Sequence, residues 1–175
     1  MATAVYFDLD FTLLQYTEDF DALFEAALPD APEGAHRRYV EAMFEAFERL
    51  STDPYLDGYR AVVEEFDVEA DPEALASRYV EAELSATHVP ESTSDAVEAV
   101  ADRHPTGVLT NGQLAVQEAK LERHCIDELV EAVVVSNDPA VAARKPDAGI
   151  FEAAEAAIPA DEYVFVADDY DEDVV

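Results

Sequence analysis

After Val89 the chain alternates helix-like and strand-like segments without interruption, and this alternation constrains its fold more than any other feature. SDAVEAVADRH has apolar residues at helical spacing, and TGVLTNG is a short apolar run ended by a turn signal. The pattern repeats through LAVQEAKLERH, EAVVVS, AGIFEAAEAAI and YVFVADD. Strands alternating with helices form βαβ units, which right-handed crossovers assemble into a parallel sheet with helices on both faces. A further strand, read at Val5–Leu9, has to join that sheet across a long, mostly helical segment. That segment is expected to form a helical insertion.

Within the insertion, Phe20, Leu23, Phe24 and Leu28 recur at helical spacing before Pro29. A second helix would present Tyr39, Val40, Met43, Phe44, Phe47 and Leu50, and a third Leu56, Tyr59, Val62, Val63 and Phe66. The fourth opens with Asp71 as N-cap and Pro72 at the first helical position, and carries Leu75, Tyr79, Val80 and Leu84. These stripes are read as helix-packing core.

Composition narrows the class. A chain of 175 residues, half of them apolar and nine of them Phe, can bury one sizeable core with at most an inserted lobe. Asp and Glu number 41 against 10 Lys and Arg, giving a net charge of −31. Such a field repels nucleic acid and anionic membranes, so neither is expected as a partner. The acids are spread over helix faces, as in EAMFEAFERL, a pattern resembling halophilic proteins, whose surface repulsion is weakened by salt. The only lysines are Lys120, read as a surface group on an amphipathic helix, and Lys145. The single cysteine, Cys125, excludes an intramolecular disulfide and fits a reducing cytoplasm, and with His124 it is placed at a helix end. The start MATAVYFDLD lacks the pattern of a signal peptide, and no apolar run approaches the roughly 20 residues that cross a bilayer. The expected setting is cytoplasmic.

Chemistry gathers where the strands end. Ligands of open parallel sheets bind at the carboxyl ends of the strands. Here those ends carry Asp8-Leu9-Asp10-Phe11-Thr12, Thr110-Asn111-Gly112 and Asp168-Asp169, with Arg144-Lys145-Pro146 just before a helix start. Asp8 and Asp10 interrupt a buried run, and buried carboxylates need a cation or a metal as counter-charge.

In that order the four segments resemble the motifs of the haloacid dehalogenase-like hydrolases. DLDFTL is similar to DxDx[TV], VLTNG to the strand ending in Thr or Ser, RKPDAGIF to the lysine before proline, and FVADDYDEDV to the strand ending in GDxxxxD. The resemblance implies an α/β fold: a Rossmann-like three-layer parallel-sheet core, residues 1–13 and 92–175, with an α-helical cap, residues 14–91. Asp8 would be the nucleophile and Asp10 the general acid and base. Thr110 would bind phosphoryl oxygens, with the backbone N–H groups of Asn111 and Gly112 nearby, and Lys145 would neutralise nucleophile and phosphate. Mg²⁺ would be held by Asp8, the backbone carbonyl of Asp10 and Asp168. Asp173 would hold a metal-bound water or orient Lys145, and Asp169 is either a secondary ligand or a loop acid. Arg144 receives no role. Ala167 departs from the usual Gly before Asp168. The family's usual helix and further strand after the fourth motif have no counterpart before Val175, so a core lacking its C-terminal element, of doubtful activity as it stands, is expected.

The resemblance implies a Mg²⁺-dependent phosphatase acting on a small phosphorylated metabolite through an aspartyl-phosphate, as a monomer or homodimer. Asp10 favours this over haloacid dehalogenation, because halide leaves without a proton. Phosphonate cleavage by the family's cap lysine is closed, since residues 14–91 contain no lysine. The remaining alternative is a catalytically impaired interaction module. The cap arginines Arg37, Arg38, Arg49, Arg60 and Arg78 are expected chiefly in surface ion pairs.

Overall fold

Thr3–Phe7, an apolar run with β-branched and aromatic residues, forms strand β1, and Asp8 lies just past its end. The structure is a computed structural model that describes residues 2–169 and 173. Residues 170–172 and 174 of the fourth motif, and Val175 after it, lie outside the described residues. In the carboxyl-terminal half β4 is Thr106–Thr110, β5 Ala132–Val135 and β6 Glu162–Val166, joined by α5 (Glu91–Ala101), α6 (Leu114–Arg123) and α7 (Ala148–Ala157). Among the described residues these strands make one parallel sheet in the order β5-β4-β1-β6. The register places Val5 opposite Thr106 on one side and Val164 on the other.

Alternation along β1 divides the core into two layers. Val5 and Phe7 point to one face, where Val97 of α5 and Leu121 of α6 complete a cluster with Leu9, Leu13 and Leu14. Ala4 and Tyr6 point to the other, against Ile150 and Ala154 of α7. There the Tyr6 hydroxyl donates to Ala154 O at 2.6 Å. On β6 only one face is packed: Phe165 meets Phe151 edge-on, whereas Val164 and Val166 are exposed. The expected three layers are therefore present.

Two short strands missing from the periodic pattern, β2 (Gln15–Tyr16) and β3 (Thr87–His88), pair antiparallel. The chain divides into two compact units, residues 1–16 with 87–175, and residues 17–86.

The second unit comprises α1 (Phe20–Ala27), α2 (Ala35–Glu48), α3 (Pro54–Phe66) and α4 (Pro72–Ala86). Asp71 caps α4 as expected, accepting from Glu73 N at 3.1 Å. Its core is aromatic: Phe24 stacks on Tyr59 at 5.8 Å between centroids, and Tyr39 lies 4.4 Å from Tyr59. The face expected for α2 is corrected. Ala35, Tyr39, Ala42 and Ala46 are its buried residues, while Phe44 is 55 % exposed. Small residues win because α3 comes close: a Cβ on Gly58 would sit 2.8 Å from the Tyr39 ring. On α4 the acid Glu83 is buried, which periodicity did not signal. Arg37, Arg38, Arg49 and Arg60 all pair with carboxylates, as expected, and Arg78 donates to Ala74 O. No helix among the described residues is long and apolar enough to cross a membrane.

Candidate active site

Strand β1 lies between β4 and β6, and the chain passes from one side of it to the other, which makes β1 the point where strand order reverses. At that edge Asp8 donates its backbone N–H to Val166 O at 2.9 Å, locking the end of β1 to the end of β6. Thr110 ends β4. The Thr12 hydroxyl donates to Asp168 Oδ1 at 3.1 Å, tying the loop after β1 to the loop after β6.

Lys145, from the loop preceding α7, supplies the counter-charge. Its side chain is 2 % exposed, with Nζ 3.0 Å from Asp8 Oδ1 and hydrogen-bonded to Asp173 Oδ1. The Phe165 ring lies 5.2 Å from the ammonium. Asn111, just past the end of β4, fixes the backbone of Lys145, accepting from its N–H at 2.8 Å and donating to its carbonyl at 3.3 Å. Asp8, Asp168 and Asp173 each contribute one carboxylate oxygen to a group lying within 4.8 Å of one another. Burial pushes the Asp8 carboxyl up to about 6, against the pull of Lys145 and with a further push from Asp173.

A second cation faces Asp10, and it corrects the surface position expected for Lys120. Lys120 is 1 % exposed, and its Nζ lies 2.9 Å from Asp10 Oδ1. The Tyr16 hydroxyl donates to the same oxygen at 2.7 Å, and Gln117 Nε2 donates to Oδ2 at 2.8 Å. Burial opposes the charged form of Asp10, but Lys120, Gln117 and Tyr16 outweigh it and hold the carboxyl below the usual range. The Asp10 carboxylate thus stands apart from the three-acid group, so any share it takes in a metal site falls to its backbone carbonyl.

Other expected site residues fall into place or move. Thr110 is buried, its hydroxyl accepting from Gln117 Nε2 at 3.0 Å and donating to Asn111 O at 3.3 Å. The Gly112 N–H, expected to face substrate, donates instead to Ser136 Oγ at 3.0 Å. Gly112 is required by close approach: a Cβ there would lie 2.7 Å from Gln117 Cδ. Asp169 is exposed and outside the three-acid group, with its N–H bonded to Asp173 Oδ2 at 3.0 Å. Asp173, by contrast, contacts Lys145 directly.

The family model of the haloacid dehalogenase-like hydrolases matches residues 2–175. The chain belongs to that family. This hydrolase shares its fold with a HAD-hydrolase from Bacillus subtilis bound to magnesium, with 19 % identity over 98 % of this chain and 82 % of that one, TM-score 0.71. An L-2-haloacid dehalogenase from Xanthobacter autotrophicus aligns at 19 % identity over 98 % and 72 %, TM-score 0.69. A HAD phosphatase from Thermococcus onnurineus aligns at 22 % over 98 % and 79 %, TM-score 0.64. No curated protein sequence matches. Both chemistries occur among these folds, so the substrate class of the hydrolase has to be argued from its own side chains.

Sequence reasoning missed Gln117, Lys120 and Tyr16. A signal existed for two of them. Lysine is rare in this chain, and Gln117 and Lys120 lie three residues apart on the helix that follows TNG, hence on one face.

Proposed function

We propose that the hydrolase is a Mg²⁺-dependent phosphatase that cleaves the phosphate ester of a small metabolite through an aspartyl-phosphate on Asp8. The observation that carries this reading is the placement of Asp10. Its carboxylate and the Thr110 hydroxyl share one donor, Gln117 Nε2, so a proton-handling group and a hydroxyl fitted to phosphoryl oxygens meet at one point. Dehalogenation needs no such acid, because halide departs unprotonated.

In the first half-reaction an Asp8 oxygen bonds to phosphorus as the ester P–O bond breaks, and Asp10 gives its proton to the departing alkoxide. In the second, Asp10 takes a proton from water, the water oxygen bonds to phosphorus, and the Asp8–phosphorus bond breaks. Ester plus water become alcohol plus phosphate, with Asp8 again ionised and Asp10 again protonated, as at the start. The ion pair with Lys120 keeps Asp10 in the form the second half requires. The negative charge of an arriving ester raises its proton affinity for the first. Lys145 balances Asp8 and the transferred charge. The helical unit supports a small substrate, since insertions at this point act as caps in the family.

The donor set fits the family's metal. Asp8, Asp168 and Asp173 offer hard oxygen ligands close together, and Mg²⁺ prefers a few carboxylates with waters completing its shell. When bound, Mg²⁺ supplies positive charge that offsets phosphate and carboxylates. Because the Asp8 carboxyl titrates near 6, Mg²⁺ has to displace a proton below that pH. Mg²⁺ affinity is accordingly expected to fall about tenfold per pH unit below about 6 and to level above it. Titration calorimetry in two buffers of different ionisation enthalpy reads the released proton, and an affinity flat from about pH 5 to 7 would contradict this account of Asp8.

The reaction class is tested by phosphate release from p-nitrophenyl phosphate and a panel of phosphorylated metabolites, against chloride release from 2-chloropropionate. The assays run with magnesium acetate in molar potassium acetate, a chloride-free medium whose ionic strength suits the acidic surface. Phosphate release with no chloride is expected. Chloride alone would make the hydrolase a dehalogenase, and neither product would leave an interaction module.

A further inference from the structure

Lys120 is buried, and the reaction above uses it only as the charge that keeps Asp10 ionised. An ammonium is taken out of water at a high cost unless it is matched, and here the match is Asp10. Nζ lies 2.9 Å from Asp10 Oδ1 and 2.9 Å from the Tyr16 hydroxyl oxygen, and that hydroxyl donates to the same Oδ1. The other carboxylate oxygen is held differently. Gln117 Nε2 reaches Asp10 Oδ2 at 2.8 Å, Thr110 Oγ1 at 3.0 Å and Asn111 O at 3.3 Å. An amide nitrogen has two hydrogens, so three acceptors compete for two donors and the hold on Oδ2 is the more easily released.

The geometry points to a division of labour within Asp10: Lys120, with Tyr16, is a positioning residue that anchors Oδ1, while Oδ2 exchanges Gln117 for the ester oxygen or the attacking water. This rests on the phosphatase reading and deepens it. The proton moves at Oδ2 in both half-reactions, and the carboxylate turns about a held oxygen rather than searching. Lys120 touches no reacting atom. Its loss loosens the aim of Asp10 and leaves phosphate binding in place, which is a cost in rate rather than in KM.

Glycerol phosphate, whose alkoxide needs a proton to leave, is compared with p-nitrophenyl phosphate, whose phenolate needs little. Lys120→Met is expected to lower kcat/KM for glycerol phosphate about 10- to 100-fold, with a several-fold smaller loss for p-nitrophenyl phosphate and KM within about threefold. Added to Asp10→Asn, the same change is expected to cost less than about twofold, because its partner is already gone. Lys120→Arg is expected to restore part of the rate, and Tyr16→Phe, a smaller change to the same anchor, to show the same pattern more weakly. Because the sequence has only two lysines, ¹⁵N-lysine labelling isolates the ammonium signals. The one lost in Lys120→Met is expected to exchange slowly in wild type and faster in Asp10→Asn. Losses that multiply in the double variant, equal losses for both esters, or full activity of Lys120→Met would overturn the proposal. An active wild type whose Lys120 signal ignores Asp10→Asn removes the anchor alone. A wild type that releases phosphate from neither ester removes the phosphatase reading and this role with it, while the ammonium signal still reports whether the ion pair exists.

Discussion

Asp8→Asn is expected to eliminate phosphate release, by at least about a thousandfold in kcat, while leaving the fold as stable as before or more so. The amide keeps the shape of the carboxyl but offers no charged oxygen to attack phosphorus. Stability follows from the sign of the Asp8 shift. Burial raises its folded carboxyl from 3.8 to about 6, so between those values the native state binds the extra proton. Stability therefore falls as pH rises through that window, and above it the ionised group carries a penalty of order 1–3 kcal/mol. Asparagine mimics the protonated carboxyl and removes the penalty. Thermal unfolding at about pH 7.5 without metal is then expected to show the variant level with or above wild type, the gap closing near pH 4. Retained turnover would take the nucleophile's role from Asp8. A variant several degrees less stable at the higher pH would refute the burial account.

The opposite response is expected from Lys145→Met. Methionine matches the lysine stem and preserves the backbone bonds to Asn111, but it leaves Asp8 and Asp173 buried together without their cation. Breaking a buried pair from one side costs about 3–5 kcal/mol, far more than the net worth of the intact pair. Denaturant unfolding in the absence of metal should show that loss. Saturating Mg²⁺ should return part of it, about 2.7 kcal/mol at a hundred times Kd, because the same carboxylates are metal donors. Turnover should stay low even then, since metal replaces the charge but not the ammonium beside Asp8. Lys145→Arg is not expected to rescue, because a planar guanidinium does not fit a site built around a point charge. A metal-free Lys145→Met protein as stable as wild type would mean that the ammonium does not balance those acids.

These two variants separate the parts of the site that local sequence specified from those that packing specified. Asp8, Thr110 and Asp168 sit where reading the strands placed them. A parallel sheet sends every carboxyl end to one edge, so a residue just past a strand end is located as soon as the strand is. Lys145 was legible as well, being a rare lysine held before a proline at a helix start. Helices on both faces of the sheet followed from the alternation of strands with helices, and the two packed layers on β1 match it. The partners of Asp10 were not legible. Helical periodicity marks a stripe, and a lysine beside that stripe reads as surface until a carboxylate 110 residues away is folded against it. The buried stripe of α2 was misjudged for a related reason: the spacing of its Phe residues is helical, but the close approach of α3 at Gly58 selects the alanine face. Sequence alone thus determined the order of the strands' chemistry and the edge on which it gathers, because these depend on local pattern and chain direction. Tertiary structure alone decided which cation meets which acid, because burial and pairing are set by contacts between residues far apart in the chain.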